Sequence, residues 1–227
     1  MRAEQDYGAF SYHEHFWRVH VHSTRTLLST TKNAIHGLIE ASNFAMVVTV
    51  LDGAPVASHV PLLFDAGEPH GVLRGHLARA NSQWQAFNGE QEALVAFLGP
   101  HAYISPAWYE TAPAVPTWNY VAVHTYGKPV VRNEEPWLSQ LLHDLVAEHD
   151  HKWRMQDVPS AYVEKLKTGI VGFEMVIDRL EAKLKLNQHR PAGDRLGPAK
   201  VLECQDDTGA RQLGALMRSI KPAASDK

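Results

Sequence analysis

Phe44-Ala45-Met46-Val47-Val48-Thr49-Val50-Leu51-Asp52-Gly53-Ala54-Pro55-Val56-Ala57-Ser58-His59-Val60-Pro61-Leu62-Leu63-Phe64 is the stretch on which the fold turns. Residues 44–50 are rich in β-branched side chains, which suit a buried strand. Asp52-Gly53 follows, a pair that accepts the positive φ angles of a two-residue hairpin turn. The stretch therefore predicts a β-hairpin in which strand 44–50 returns as strand 56–64. Outward from it, a turn at Asp65 to Pro69 leads to a strand Gly71 to Leu77, a short helix Ser82 to Phe87 and a strand Ala93 to Leu98. Further strands are expected over Val121 to Tyr126 and Ile170 to Ile177. The early connections are too short for crossover helices, so the pattern predicts an antiparallel barrel or sandwich.

Helices flank this section. Thr30 or Thr31 can cap one that carries Ile35, Leu38 and Ile39 on a single face. Asn133 can cap another that carries Trp137, Leu138, Leu141, Leu142, Leu145 and Val146, with Glu134 and Glu135 in its first turn. A last helix is expected over Ala210 to Ile220. Residues 1–30 show no sustained period. His13, His15, His20 and His22 crowd there, but no cysteine or carboxylate at supporting spacing completes a ligand set, so they read as surface or interface histidines and no metal is expected.

With 227 residues and a formal net charge of -3, the chain has no overall field to draw it to nucleic acid or an anionic membrane. Its single cysteine, Cys204, forms no intrachain disulfide, and no segment is long and apolar enough to span a bilayer. A cytoplasmic location is expected. There is no GxGxxG, no Gly-rich loop ending in Lys-Ser or Lys-Thr, no His-Glu-x-x-His and no CxxC, which disfavours Rossmann, P-loop and thiolate-zinc chemistry.

Gly99 to Tyr109 and Val115 to Tyr120 are dense in aromatic, proline and hydrogen-bonding residues. Such faces suit a planar heteroaromatic ligand, although packing of Trp108, Trp118 and Tyr126 accounts for much of the same pattern. In Lys183 to Arg190, Lys183, Lys185 and Asn187 would line one face of a strand and Leu184 and Leu186 the other. Such a row suits phosphate binding and equally suits a lysine-protected sheet edge.

The blocks Thr49 to Leu62, Gly75 to Trp84, Gly99 to Tyr109 and Val115 to Gly127, with Gly169 to Phe173 and Lys185 to Arg190, resemble the signature blocks of the PaiB family, described as FMN-binding negative transcriptional regulators. The likeness covers roughly residues 44–190. It departs at the looser N-terminal block Tyr12 to Phe16, at Ser82, where the family usually has proline, and at Asn187-Gln188-His189-Arg190, where the family usually reads Ser-Gln-Asn-Arg.

The resemblance implies a mainly β fold with flanking helices, an FMN-binding split β-barrel with FMN held at a homodimer interface. Residues 1–30 would be an arm, 31–190 the barrel with an inserted helix at 134–150, and 191–227 a helical tail. It nominates His59, His76, Arg79, Asn81, Gln83, Trp84, Lys185, Asn187 and Arg190 for the cofactor, with arginine suited to phosphate by its planar fork. Trp108 and Trp118 are nominated for the pocket or dimer interface, and His101, Tyr103 and Tyr120 as candidate proton donors. The expected function is an FMN-dependent oxidoreductase acting on a small organic substrate. The alternatives are a PaiB-like regulator or flavin sensor without robust catalysis, and a haem-binding or haem-degrading relative. Direct DNA binding is disfavoured, since no helix-turn-helix is evident.

Overall fold

The computed structural model describes residues 35–67 and 69–219. The N-terminal arm with its four histidines, the Thr30 or Thr31 cap and Ile220 lie outside the described residues. A helix α1 over residues 35–41 leads into β1 (Phe44–Leu51) and β2 (Ala54–Pro61). The hairpin forms as its turn chemistry requires: Leu51 pairs with Ala54, and Asp52 and Gly53 hold φ of 52° and 79°.

The expected second strand, 56–64, divides. After Pro61 the chain leaves the first ladder and begins β3 (Leu63–Asp65), which pairs with β4 (Val72–Ala78) in another sheet. A 3-10 helix, Ser82–Ala86, returns the chain to β5 (Ala93–Ile104) and β6 (Thr117–Gly127). It then passes to β7 (Val130–Val131) and, beyond helices α2 (Trp137–His149) and α3 (Ser160–Lys167), to β8 (Ile170–Val176). β9 (Arg179–Lys185) rejoins the first sheet, and helices α4 (Ala192–Glu203) and α5 (Thr208–Ser219) follow.

Strand pairs thus alternate between a five-stranded sheet, order β2-β1-β5-β6-β9, and a four-stranded sheet, order β3-β4-β8-β7. The pairings within both are antiparallel. The expected barrel is not closed: among the described residues no strand ladder joins the two sheets. Pro61 and Pro129 stand at two of the crossings, where they have no N–H to carry a ladder around the corner.

The main core lies between the sheets, where Val47, Val95, Phe97 and Val123 meet Leu73, Phe173, Met175 and Ile177, all essentially inaccessible. Truncating Phe173 to alanine would cost about 3–5 kcal/mol. A second cluster packs Leu202, Leu213 and Met217 of the C-terminal helices against Ile104, Val121 and Leu186. A third seats Leu138, Leu141 and Leu145 of α2 beside Leu63 and Ile170. Asn133 does not cap α2, because its side-chain oxygen accepts the Gly172 N–H at 3.1 Å instead. α4 escapes sequence periodicity because it contains Gly193, Gly197 and Pro198; burial of Ala199 and Leu202 overrides that poor propensity. Among the described residues, no helix is long and apolar enough to cross a membrane.

Candidate functional site

Alternation along β1 puts Ala45, Val47 and Thr49 in the core and Phe44, Met46, Val48 and Val50 on the outer face of the five-stranded sheet. β1 is therefore apolar on both faces, the pattern of a strand covered on both sides. Cross-strand register extends the outer face through His59, Leu94, Ala96 and Leu98 to Trp118, Tyr120, Lys183 and Lys185. Among the described residues nothing covers this face: Phe44 is 65 % exposed, Leu98 61 % and Trp118 55 %. His59 stacks on Phe44 at 6.1 Å, and Tyr103 meets Trp118 edge-on at 6.2 Å.

A bulge between Leu98 and His101 shifts the register so that His101 lies opposite Tyr120 and Tyr103 opposite Trp118. The three candidate proton donors, His101, Tyr103 and Tyr120, therefore share the outer face. His101 Nδ1 is 3.1 Å from the Gly99 carbonyl. Trp108 is separate from them, packed among the C-terminal helices.

Arg79, Asn81, Gln83 and Trp84 come together at the corner between β4 and β5. Arg79 donates to the carbonyls of Thr168 and Ile170, each at 2.8 Å, through Nε and Nη2. Trp84 Nε1 donates to the Arg79 carbonyl at 3.0 Å. Asn81 accepts the Gln83 N–H and donates to Ser58 Oγ at 2.8 Å. Gln83 is wholly buried, its amide nitrogen within reach of Val47 O, Thr49 Oγ1 and Val56 O at 2.9, 3.2 and 3.2 Å. It fastens this corner to the hairpin.

The remaining nominees stand elsewhere. His76 is on β4, facing the layer formed by α2 and α3, and burial lowers its pKa. Lys185 lies on β9, across β1, β5 and β6 from His59, roughly 19 Å away at the usual interstrand spacing. Its ammonium donates to Thr117 Oγ1 at 2.6 Å. Asn187 has left the strand, with φ at 59°, and does not share the face of Lys183 and Lys185. It is buried and donates to the Tyr109 hydroxyl at 3.2 Å. Arg190 stacks over Tyr109 at 4.2 Å and donates to Asp194 at 3.0 Å. The Thr111 hydroxyl, then the Thr111 N–H, Arg190 and the Glu110 N–H, hold the buried Asp194 carboxyl below its ordinary pKa.

Phe44, Ser58, Tyr109 and Asp194 join this set without having been singled out for it. The two-faced apolarity of β1 was the available signal for Phe44. Asp194 has one local partner, Arg190, and its others, Glu110 and Thr111, lie some 83 residues away.

Strand pairs that alternate between two antiparallel sheets define the fold of this protein, and solved structures share it. The flavocytochrome Anf3 from Azotobacter vinelandii superposes with a TM-score of 0.54 at 13 % identity, covering 79 % of this chain and 72 % of that one. The FAD and heme binding protein from Mycobacterium smegmatis does so with 0.50 at 16 % identity, covering 67 % and 70 %. The family described as "Putative FMN-binding domain" matches residues 22–179. Protease synthase and sporulation protein PAI 2 of Bacillus subtilis (strain 168) is 36 % identical over 194 residues, 83 % of this chain and 92 % of that protein. The uncharacterized protein AN0679 of Emericella nidulans is 37 % identical over 181 residues, 62 % and 72 % of the two chains. The chain belongs to the PaiB family of this FMN-binding domain.

Proposed function

We propose that this protein is a flavin-holding regulator or sensor of the PaiB type, which binds FMN against the outer face of the five-stranded sheet and works as a homodimer. The observation that carries the reading is that face, an apolar shelf bordered by His59 on one edge strand and by Lys183 and Lys185 on the other. An isoalloxazine ring is flat and largely apolar and suits the shelf, while its phosphate suits cationic edges. Arg79 fits as a further phosphate partner, since Nη1 takes no part in its two carbonyl bonds. His59 and Lys185 are too far apart to grip one small cofactor from a single chain. Two-fold pairing through the shelf brings the β2 edge of one copy towards the β9 edge of the other and covers the exposed Phe44, Leu98 and Trp118.

Family membership favours the regulator or sensor over the dedicated oxidoreductase, since the Bacillus relative is named for protease synthase and sporulation. The regulatory effect is indirect in this reading. In the α4–α5 pair, Arg218 is bound to Glu203, and Arg211 to the carbonyls of Gln205 and Asp206, so neither is free for phosphates. The oxidoreductase remains the second reading because His101 and Tyr120 stand opposite each other on the shelf, where they would donate a proton to a substrate held there. A bound flavin supplies hydride and electron chemistry, and the protein orients it and excludes water.

The test is the absorbance spectrum of the protein purified without added cofactor, with release and identification of the chromophore. Flavin bands support the proposal, and a Soret band selects the haem alternative. Anaerobic reduction with NADH, NADPH and other reductants then separates the two flavin readings. Slow reduction without turnover fits the sensor, and repeated cycling fits the enzyme.

A further inference from the structure

We infer that the open cavity bordered by β4, β8, α2 and α3 binds a small, uncharged, largely apolar molecule that bears one hydroxyl, with His76 as its hydrogen-bond partner. The cavity measures about 500 Å³, within the range of roughly 300–1,000 Å³ that small-molecule sites occupy. Leu142 and Leu145 of α2, Val163 and Leu166 of α3 and Ile170 of β8 make its wall almost wholly hydrocarbon. Such a wall rewards an apolar guest.

His149 and Asp150 line the cavity from exposed positions, and two further polar groups set the chemistry of the guest. The His76 ring lines the cavity with its Nδ1 buried, and among the described residues its nitrogens have no hydrogen-bond partner. Leaving a ring nitrogen so placed is unfavourable, and a hydroxyl can donate to it or accept from it, whichever tautomer the imidazole adopts. Lys167 also lines the cavity, but Glu135 and Glu164 neutralise its ammonium and Ser139 Oγ accepts from it at 2.8 Å. The wall therefore holds no uncompensated cation that would draw an anion. Burial also keeps the imidazole neutral near pH 7. Tyr162 and Leu166 line the cavity and are each 55 % exposed, which leaves an apolar rim for entry. The inference rests on the flavin binding at the shelf, outside this cavity.

The test is a fluorescence titration of the full chain with 2-naphthol, naphthalene and 2-naphthoate, repeated with FMN added. Saturable 2-naphthol binding is expected, about tenfold tighter than naphthalene for one buried hydrogen bond, with 2-naphthoate weakest and FMN without effect. His76→Phe should bring 2-naphthol and naphthalene to equal affinity. Leu166→Trp, at the exposed rim and safe for folding, should weaken both at least tenfold and leave FMN binding unchanged. The inference is overturned by the absence of saturable binding, by a hydroxyl preference that survives His76→Phe, or by unchanged affinity in Leu166→Trp. Displacement of 2-naphthol by stoichiometric FMN would also overturn it, by assigning the cavity to the flavin.

Discussion

Asn187 donates to the hydroxyl of Tyr109 across 3.2 Å while holding a left-handed backbone, with φ at 59°. Two sequence blocks 78 residues apart are locked by this pair. Asn187→Gly keeps the backbone and loses the bond, so it should cost about 1 kcal/mol of unfolding free energy. Asn187→Ala adds the left-handed penalty and should cost about 2–3 kcal/mol. Urea denaturation of both variants measures the difference, and equal losses would show that the backbone conformation carries no cost.

Gln83 was nominated for the cofactor, yet its amide binds β1 and β2 from a fully buried position. Gln83→Leu should lower stability by about 2–4 kcal/mol through the acceptors it strands. Flavin affinity, measured on the folded fraction, should change less than twofold. A large affinity loss at normal stability would return this residue to the ligand site.

Arg79→Ala should weaken FMN binding by about 1.5–3 kcal/mol, the range for charge-assisted hydrogen bonds. Arg79→Lys should recover part of that loss, because lysine keeps the charge but cannot span the Thr168 and Ile170 carbonyls. Flavin fluorescence quenching gives both values. Unchanged affinity in Arg79→Ala would remove the residue from the phosphate site.

Light scattering should show a dimer at low micromolar concentration, and Trp118→Glu should convert it to a 25.3 kDa monomer with flavin affinity at least tenfold weaker. Because Trp118 is 55 % exposed in one chain, the substitution should leave the fold intact by circular dichroism. A monomer that still binds FMN tightly would rule out a site shared between copies.

Two groups should shape the pH dependence of stability. His76 has its pKa lowered by burial, and Lys167, His149 and Asp150 line the same cavity. Its neutral form is the folded form, so stability is complete above about pH 6.5 and falls below it, where the unfolded chain takes up the proton first. His76→Phe should flatten the stability profile below about pH 6.5. Asp194 has a depressed pKa, so its contribution is complete above about pH 3.9 and is lost as pH falls through its own lower value. Asp194→Asn should reduce the slope in that acid limb. Denaturation at stepped pH tests both, and a profile unchanged by either variant would reject the assignment.

The local grammar of the fold was legible. Asp52-Gly53 announced its hairpin, the β-branched run 44–50 announced β1, and the turn at Asp65 to Pro69 announced β4, because turn chemistry and strand preference act over a few residues. The handover at Leu62 was not legible, since a run of apolar residues looks the same whether it stays in one sheet or changes partners. The site shows the same divide. The blocks that carry the family likeness were visible, but their assembly depends on long-range partners. His59 and Lys185 share a face through three intervening strands, and Asn187 turns inward because one backbone angle differs from that of a strand.

The crossings between the sheets leave almost no thickness to absorb a shift. A methyl group on Gly127 would sit 2.1 Å from the Val176 carbonyl oxygen, and one on Gly75 would sit 2.6 Å from Leu62 Cδ2. At Gly127 the layers bear on one another backbone to backbone, like plates bolted without a washer, while at Gly75 only the Leu62 side chain lies between. A tilt of the shelf sheet must therefore press directly on β8 and, through Leu62, on β4.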